Sequence, residues 1–183
     1  GEIALCILSA INVGAIGNLN ELESLCDLSV RALDEIIELQ DYPVKAAEVS
    51  TKSRRSLGIG YIGLAHYLAK NGVKYSDPKA WELVDRLSEA FQYYLLRASC
   101  DIAEEKGKCS AFDRTKYADG LLPIDHYKKE VDEIVVHKQR MAWETLRKDI
   151  LKYGLRHSTL SAQMPSESSS VVSNETNGIE PPR

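Results

Sequence analysis

A serine-rich stretch near the end of the chain is the strongest candidate for binding chemistry. Residues 164–170 read MPSESSS and are followed by two valines. This order predicts a tight loop and then a short helix, whose first turn exposes unpaired N–H groups and hydroxyls. Such a turn favours a phosphate, because both the amides and the helix dipole are directed at the anion. The alternative is an ordinary solvent-exposed serine loop.

A cysteine near the start of the chain is the candidate for redox chemistry. Cys6 lies within the apolar run EIALCILSA. A cysteine in such a run is usually an inert core residue, so its type alone does not assign a role. The other cysteines are Cys26, Cys100 and Cys109. None forms a CxxC pair and no Cys/His spacing is typical of zinc, so we predict free thiols and no metal site.

The remaining reactive residue types carry weaker patterns. The four histidines, at positions 66, 126, 137 and 157, show no ligand spacing and no serine–carboxylate partner set, so we assign them no catalysis. Gly58, Gly60 and Gly63 match the GxGxxG spacing, but arginines precede them where a dinucleotide site requires a strand. Tyr93 and Tyr94 are interpreted as core tyrosines.

Two predicted strands position the candidate residues. The short apolar run of residues 2–9 predicts a strand buried on both faces, and residues 155–163 predict a second strand that leads into the serine stretch. Helices are predicted between them over 20–39, over 53–70 with three glycines packed closely, and from Pro78 to a stop at Gly107. Shorter helical candidates cover residues 113–119, 124–131 and 141–153.

Composition excludes some classes of function. The chain has 183 residues, 44% hydrophobic, and a formal net charge of −4. This charge does not favour a nucleic-acid surface, and no apolar run approaches the roughly 20 residues that cross a bilayer. We therefore expect a cytoplasmic protein that binds neither membrane nor nucleic acid directly.

Several motifs together resemble one family, the large catalytic subunit of class I ribonucleotide reductase in its bacterial and phage branch. The two terminal motifs, GEIALCILSA and MPSESSS with its continuation to TNGIEPPR, occur in the expected order. Four internal motifs are also similar: QDYP at 40–43, RRSLGIG at 54–60, YYLL at 93–96 and LPID at 122–125. The resemblance extends over essentially all 183 residues.

The resemblance implies a fold and a reaction. The fold is α/β, a part of the ten-stranded barrel of these subunits, with a long helical excursion between two barrel strands. The reaction is conversion of ribonucleoside diphosphates to deoxyribonucleoside diphosphates for DNA synthesis. Cys6 is then one of two redox-active cysteines, with its partner outside this chain. The substrate diphosphate is held by five residues: Pro165, Ser166, Glu167, Ser168 and Ser169. Ser168 stands where relatives often have threonine, which also carries a hydroxyl.

The same resemblance implies partners and cofactors. The chain would act with the remainder of the large subunit, with a radical-generating small subunit that carries the metallocofactor, and with thioredoxin or glutaredoxin as reductant. No cofactor is expected on this segment itself, and the ATP and deoxynucleotide effectors are expected on other parts of the subunit.

The chain is interpreted as one partial domain, residues 1–183. Its parts are residues 1–10, a strand with the redox cysteine; residues 19–153, mainly helical; and residues 155–183, a strand, a phosphate loop and a short helix. Because the first residues already resemble the middle of a strand, we expect a piece of a longer polypeptide. One alternative is a non-catalytic or split-gene fragment that binds substrate phosphate and needs a complementing chain. Another is a helical scaffold without a ligand.

Overall fold

The computed structural model describes residues 1–134 and 138–182 as an open α/β unit. Strand β1 (Ile7–Asn12) is followed by helices α1 (Glu21–Leu39) and α2 (Lys45–Arg54), then by strand β2 (Leu57–Ile62). Helices α3 (Leu64–Lys70) and the 29-residue α4 (Pro78–Lys106) come next. Helices α5 (Trp143–Tyr153) and α6 (Glu167–Val172) complete the order, after four short 3₁₀ segments at Phe112–Arg114, Lys116–Asp119, Pro123–Asp125 and Lys129–Glu133.

The sheet is parallel and is extended by a third segment of the chain, residues 159–164. β1 pairs with β2 in a register that aligns Ile7 with Leu57 and Asn12 with Ile62. On the other side of β2, Ile59 forms a parallel bridge with Ser161, and its N–H donates to the carbonyl of Leu160 at 2.8 Å. The strand predicted at 155–163 therefore does pair with β2, although only around this bridge.

One face of the sheet packs on the long helices. Tyr61 of β2 contacts Phe91 of α4 edge to face, with ring centroids 5.2 Å apart. Residues on this face alternate with those on the other, as the pleat of a strand requires. Helices α1 and α4 pack against each other through fully buried side chains such as Leu22, Cys26 and Leu95. The core therefore lies between the helices and one side of the sheet.

The start of the chain differs from the prediction. The strand begins at Ile7, so Cys6 immediately precedes it, and residues 1–4 are exposed. Leu8 is 55% exposed, whereas Ile11 is buried. The prediction of a strand buried on both faces is therefore wrong for the described chain, because β1 forms one edge of the sheet and only its helix side is covered.

The helix predicted over residues 53–70 is also wrong. The structure divides this interval into the end of α2, strand β2 and helix α3, so the "mainly helical" region 19–153 contains a central strand. Gly58 and Gly60 lie in β2, and Gly63, with φ of +81°, precedes α3. Helical periodicity of the apolar residues masked a buried strand six residues long.

The long helices agree with the prediction. α1 ends before Asp41-Tyr42-Pro43, as expected for a segment that approaches proline. α4 starts with Pro78 in its first turn and ends at Gly107. The predicted helix at 141–153 is α5, whereas the candidates at 113–119 and 124–131 are 3₁₀ segments.

Candidate functional site

Cys6 lies on the face of the sheet opposite the helices. Its Sγ is 2.8 Å from the position that a Cβ on Gly58 would occupy, and the Leu8 side chain lies beside the same glycine. Gly58 alternates with Leu57 and Ile59, which pack into the helical core. The thiol therefore lies directly against the strand backbone, because Gly58 has no side chain. A larger residue at position 58 would displace the thiol.

Gly60 is a second residue without a side chain on the same face of β2. A Cβ there would clash with the carbonyl oxygen of Ala162 and would lie 2.9 Å from Sδ of Met164. Because neither glycine has a side chain, the third segment crosses closely over β2. Close packing was the correct reason for these glycines, although the element that contains them is a strand.

The two sequence-predicted sites approach each other along this face. Ala162 lies against Gly58, as Cys6 does, and also against Gly60, where Met164 packs. Met164 is followed directly by the serine segment, defined here as residues 165–170. The five residue-to-residue steps from Ser161 to Ser166 span at most about 18 Å. The structure thus brings the beginning of the serine segment onto the face that carries the thiol.

The serine segment contains the start of helix α6. Ser166 precedes the helix and is buried, as is Ser170, whereas Glu167, Ser168 and Ser169 are exposed. The Ser170 hydroxyl donates to the carbonyl of Glu167 at 2.8 Å, so it closes the first turn internally. The amides of residues 167–169 belong to the first turn, where a helix provides no acceptor of its own. The exposed part of the segment therefore presents these amides and two serine hydroxyls.

The carboxylate of Glu167 lies at the exposed side of this turn. It lines a groove with Glu175 and Glu180, next to Thr176 and Asn177. A carboxylate that faced an anion would oppose its binding, so the side of the turn that carries Ser168 and Ser169 is the one that suits an anion.

Cys6 differs chemically from the other three cysteines. It is exposed, whereas Cys26, Cys100 and Cys109 are buried. Partial desolvation raises the pKa of the Cys6 thiol, so the group keeps its proton at neutral pH. Burial raises the pKa of Cys26 and of Cys100 to about 12, which makes them inert. Cys6 is therefore the one thiol suited to donate a proton to a bound molecule.

Three residues that sequence reasoning missed hold the serine segment in place. The Ser166 N–H donates to Oδ1 of Asn177 at 2.9 Å. The carboxylate of Glu175, only 5% exposed, lies 2.8 Å from Nδ1 of His66. The two pairs are separated by 11 and 109 positions, and although Asn177 lies in the TNGIEPPR motif, no local pattern indicates these contacts.

A second set of polar residues, the Asp34 network (Asp34, Arg55, Ser99 and His157), is buried on the helix side. His157 Nδ1 lies 2.9 Å from the Ser99 hydroxyl, and its Nε2 lies 3.0 Å from Oδ1 of Asp34. The prediction that no histidine has serine and carboxylate partners is therefore wrong. His157 and Ser99 are completely buried and Asp34 is 1% exposed, so no substrate reaches this arrangement. His137 lies outside the described residues.

The charge of the Asp34 network is balanced inside the protein. Arg55 donates from Nε to Oδ1 of Asp34 at 2.7 Å and from NH2 to the Asp34 carbonyl at 2.9 Å. Although burial opposes ionisation, the hydrogen bond from His157 and the charge of Arg55 hold the pKa of Asp34 below its usual value. Burial, opposed by Asp34, lowers the pKa of His157. The network is thus an anionic aspartate, a cationic arginine and a neutral imidazole.

The described residues contain neither a metal-binding cluster nor a membrane-spanning helix. Across residues 1–134 and 138–182, no group of three or more His, Cys, Asp or Glu side chains is arranged to hold a metal ion. Within the same residues, no helix has the length and apolar character needed to cross a membrane.

Comparison with known proteins gives a consistent result over the whole chain. A family model described as the ribonucleotide reductase barrel domain matches residues 1–183. The chain is 61% identical over 183 residues to the ribonucleoside-diphosphate reductase subunit alpha of Buchnera aphidicola subsp. Schizaphis graminum, and 60% identical to that of Haemophilus influenzae. It is 45% identical over 184 residues to the subunit alpha of Enterobacteria phage T4. All of this chain is covered in each case, but it spans only 24% of the length of each relative.

Proposed function

Because this chain belongs to the ribonucleotide reductase barrel-domain family, we propose that it forms part of the catalytic barrel of a ribonucleoside-diphosphate reductase large subunit. The observation that carries the proposal is the match over all 183 residues to subunits with this name. The reaction is reduction of ribonucleoside diphosphates to deoxyribonucleoside diphosphates, an oxidoreductase activity that supplies DNA synthesis.

Cys6 is proposed as one of the two reducing thiols. After a radical forms at the 3′ carbon of the ribose, loss of the 2′ hydroxyl as water requires a proton, and the product requires two electrons. Two thiols supply both and become a disulfide. The raised pKa and exposure of Cys6 support the role of proton donor. The resemblance to the family implies that the second reducing thiol lies beyond these 183 residues, and the burial of the other three thiols agrees with this.

The serine segment is proposed to hold the diphosphate of the substrate. Pro165 and Ser166 turn the chain into α6, and Glu167, Ser168 and Ser169 contribute first-turn amides. The hydroxyls of Ser168 and Ser169 add donors on the exposed side. Amides and hydroxyls at a helix start suit a phosphate without requiring a basic side chain. The position of Met164 on the Cys6 face supports one substrate reaching both groups.

The proposed assembly has further components. A small subunit generates the radical on its metallocofactor, the remainder of the large subunit supplies the other catalytic residues and binds ATP and deoxynucleotide effectors, and thioredoxin or glutaredoxin regenerates the dithiol. We place the enzyme in the cytoplasm, where thiols remain reduced.

A second candidate function is a split-gene or non-catalytic piece that binds substrate phosphate and depends on a complementing chain. The presence of a single exposed thiol, without a second beside it, favours this possibility over an autonomous enzyme. The two candidates differ in the role of Cys6, because a binding piece does not need its sulfur.

The test compares turnover and binding in the enzyme assembled with its small subunit and reductant. We expect Cys6→Ser to abolish deoxynucleotide formation while nucleoside diphosphate still binds, because serine cannot form a disulfide. Ser168→Ala combined with Ser169→Ala should instead raise the Kd of the diphosphate. Cys100→Ala, at a buried thiol, is the matched control and should retain turnover. Full turnover in Cys6→Ser would exclude the redox assignment.

A further inference from the structure

Glu175 is a nearly buried carboxylate in a surface loop, and the redox and phosphate chemistry proposed above does not use it. It follows α6, after Asn174, which has φ of +50°. Its N–H donates to the carbonyl of Ser170 at 2.8 Å, so the backbone folds back onto the serine segment. Its side chain is 5% exposed, an unusual burial for a glutamate that has no arginine or lysine partner among residues 1–134 and 138–182. Such burial requires compensating contacts.

The carboxylate occupies space left by two glycines at the ends of the two strands. Gly14 follows β1 and Gly63 follows β2. A Cβ on Gly14 would clash with Oε2 of Glu175, and a Cβ on Gly63 would lie 2.7 Å from its Cγ. The Glu175 side chain therefore packs directly on backbone at the carboxyl ends of both strands. Its position is therefore set by the ends of the sheet as well as by the loop that carries it.

Hydrogen bonds from three different elements reach the carboxylate. His66 of α3 lies 2.8 Å from Oε2 through Nδ1, and the Thr176 N–H donates to Oε1 at 2.8 Å. The Asn12 side chain, at the end of β1, also donates. Although burial opposes ionisation, these bonds together hold the pKa of Glu175 below its usual value. The group is an ionised anchor at neutral pH.

The residues after Glu175 connect this anchor to the start of α6. The Gly63 N–H donates to the carbonyl of Thr176 at 3.0 Å, and the Leu64 N–H donates to that of Gly178 at 3.4 Å. Between them, Asn177 accepts the Ser166 N–H at 2.9 Å. One continuous path of short contacts thus runs from the strand ends through Glu175 to the residue that begins the serine segment.

We propose that Glu175, held by His66, is a positioning residue that fixes the serine segment against the ends of β1 and β2 and so sets the affinity for the substrate diphosphate. This inference rests on the phosphate-binding role proposed for the segment. Glu175 does not contact the phosphate, since a carboxylate there would repel it. It acts by keeping the first-turn amides of α6 in place relative to the thiol.

The test measures KM and kcat for a nucleoside diphosphate in the assembled enzyme carrying Glu175→Gln, Glu175→Ala or His66→Ala. Displacement of a binding group by about 1 Å costs up to about 100-fold, so we expect KM to rise on the order of 10-fold in Glu175→Ala. His66→Ala should raise KM in the same direction, and Glu175→Gln, which keeps the shape and one acceptor oxygen, should raise it less than alanine does.

The double variant His66→Ala with Glu175→Ala separates positioning from a general loss of structure. If the two residues act as one unit, the double variant raises KM no further than Glu175→Ala alone. Glu23→Gln, at an exposed carboxylate of α1, controls for loss of charge and should leave KM unchanged. Unfolding of Glu175→Ala would not block the test, because His66 is 47% exposed and its replacement leaves the core intact.

Three results would overturn parts of the scheme separately. An unchanged KM in both Glu175→Ala and His66→Ala, while Ser168→Ala with Ser169→Ala raises it, refutes the positioning role and leaves the proposed function in place. An unchanged KM in the serine variant refutes the phosphate site itself. A fall in kcat alone for Glu175→Ala, in proportion to the unfolded fraction, identifies a purely structural residue.

Discussion

At the scale of single residues, the thiols show how different surroundings give identical side chains different reactivity. Cys6, Cys26, Cys100 and Cys109 are all free, and only Cys6 is exposed. Desolvation raises the pKa of all four, to about 12 for Cys26 and Cys100. Reactivity depends on both thiolate fraction and access, so only Cys6 retains the access that chemistry requires.

This difference predicts selective alkylation. In the reduced native protein, iodoacetamide at pH 8 should modify Cys6 first, and Cys26, Cys100 and Cys109 only after unfolding in urea. Peptide mass spectrometry after timed quenching measures the order. Modification of Cys26 or Cys100 at the rate of Cys6 under native conditions would contradict the burial of these thiols.

At the scale of elements, strand β2 is organised around its glycines. Gly58 and Gly60 allow Cys6 and the third segment to lie directly on the strand. The obstacles at the two positions differ. At Gly58 they are the ends of the Cys6 and Leu8 side chains, which can move, whereas at Gly60 the nearest obstacle is the backbone oxygen of Ala162. Alanine should therefore have different consequences at the two sites.

We expect Gly60→Ala to lower the free energy of unfolding by about 1–3 kcal/mol, because backbone must shift to accommodate the methyl group. Gly58→Ala should cost less stability but reduce turnover, because it pushes the reactive sulfur away. Urea denaturation measures the stability and a deoxynucleotide assay measures the turnover of both variants, so each variant is the control for the other. Equal loss of stability with unchanged turnover in Gly58→Ala would show that the thiol does not depend on this strand.

At the scale of the whole molecule, the Asp34 network connects elements that are distant in sequence. Asp34 lies in α1, Arg55 directly follows α2, Ser99 lies in α4 and His157 precedes the third segment. Arg55 adopts φ of +50°, a left-handed conformation that a non-glycine residue rarely takes, and its two hydrogen bonds to Asp34 offset that strain. The helices and the sheet are thus joined by one buried set of charges.

Removing the carboxylate should be strongly destabilising. Asp34→Ala leaves the buried Arg55 with Glu38 as its remaining anionic partner, and loss of one partner from a buried pair costs about 3–5 kcal/mol. Asp27→Ala, on the same helix but with a side chain 43% exposed, removes a surface pair with Arg31 and should cost less than about 1 kcal/mol. Urea midpoints of the two variants measure the difference. Equal midpoints would mean that the network contributes no net stability.

The network also predicts the pH dependence of stability. His157 has a lowered pKa, so below its ordinary value of 6.5 the unfolded chain binds a proton that the native protein does not. The contribution of neutral His157 to the free energy of unfolding is fully present above pH 6.5 and is lost as pH falls through the folded-state pKa. Asp34, also lowered, contributes above its ordinary value of 3.8 and loses that contribution in stronger acid. The urea midpoint should therefore be lower at pH 5 than at pH 7.5, and this decrease should be smaller in His157→Gln.

The sequence by itself determined the family, the helices with clear caps and the two candidate site motifs. Local signals suffice for these, as with Pro78 and Gly107 at the ends of α4 or the serine run before α6. They failed at β2, because a six-residue strand buried on both faces has no period that distinguishes it from a helix.

Tertiary structure alone decided which residues support the site. The contacts of His66 with Glu175 and of Asp34 with His157 join positions 109 and 123 residues apart. Their burial follows from chain segments meeting in space, and burial controls the charge of a carboxylate or imidazole more than its neighbours in sequence do. The motifs predict which groups bind and react, whereas the packing of strands and helices determines where those groups are held.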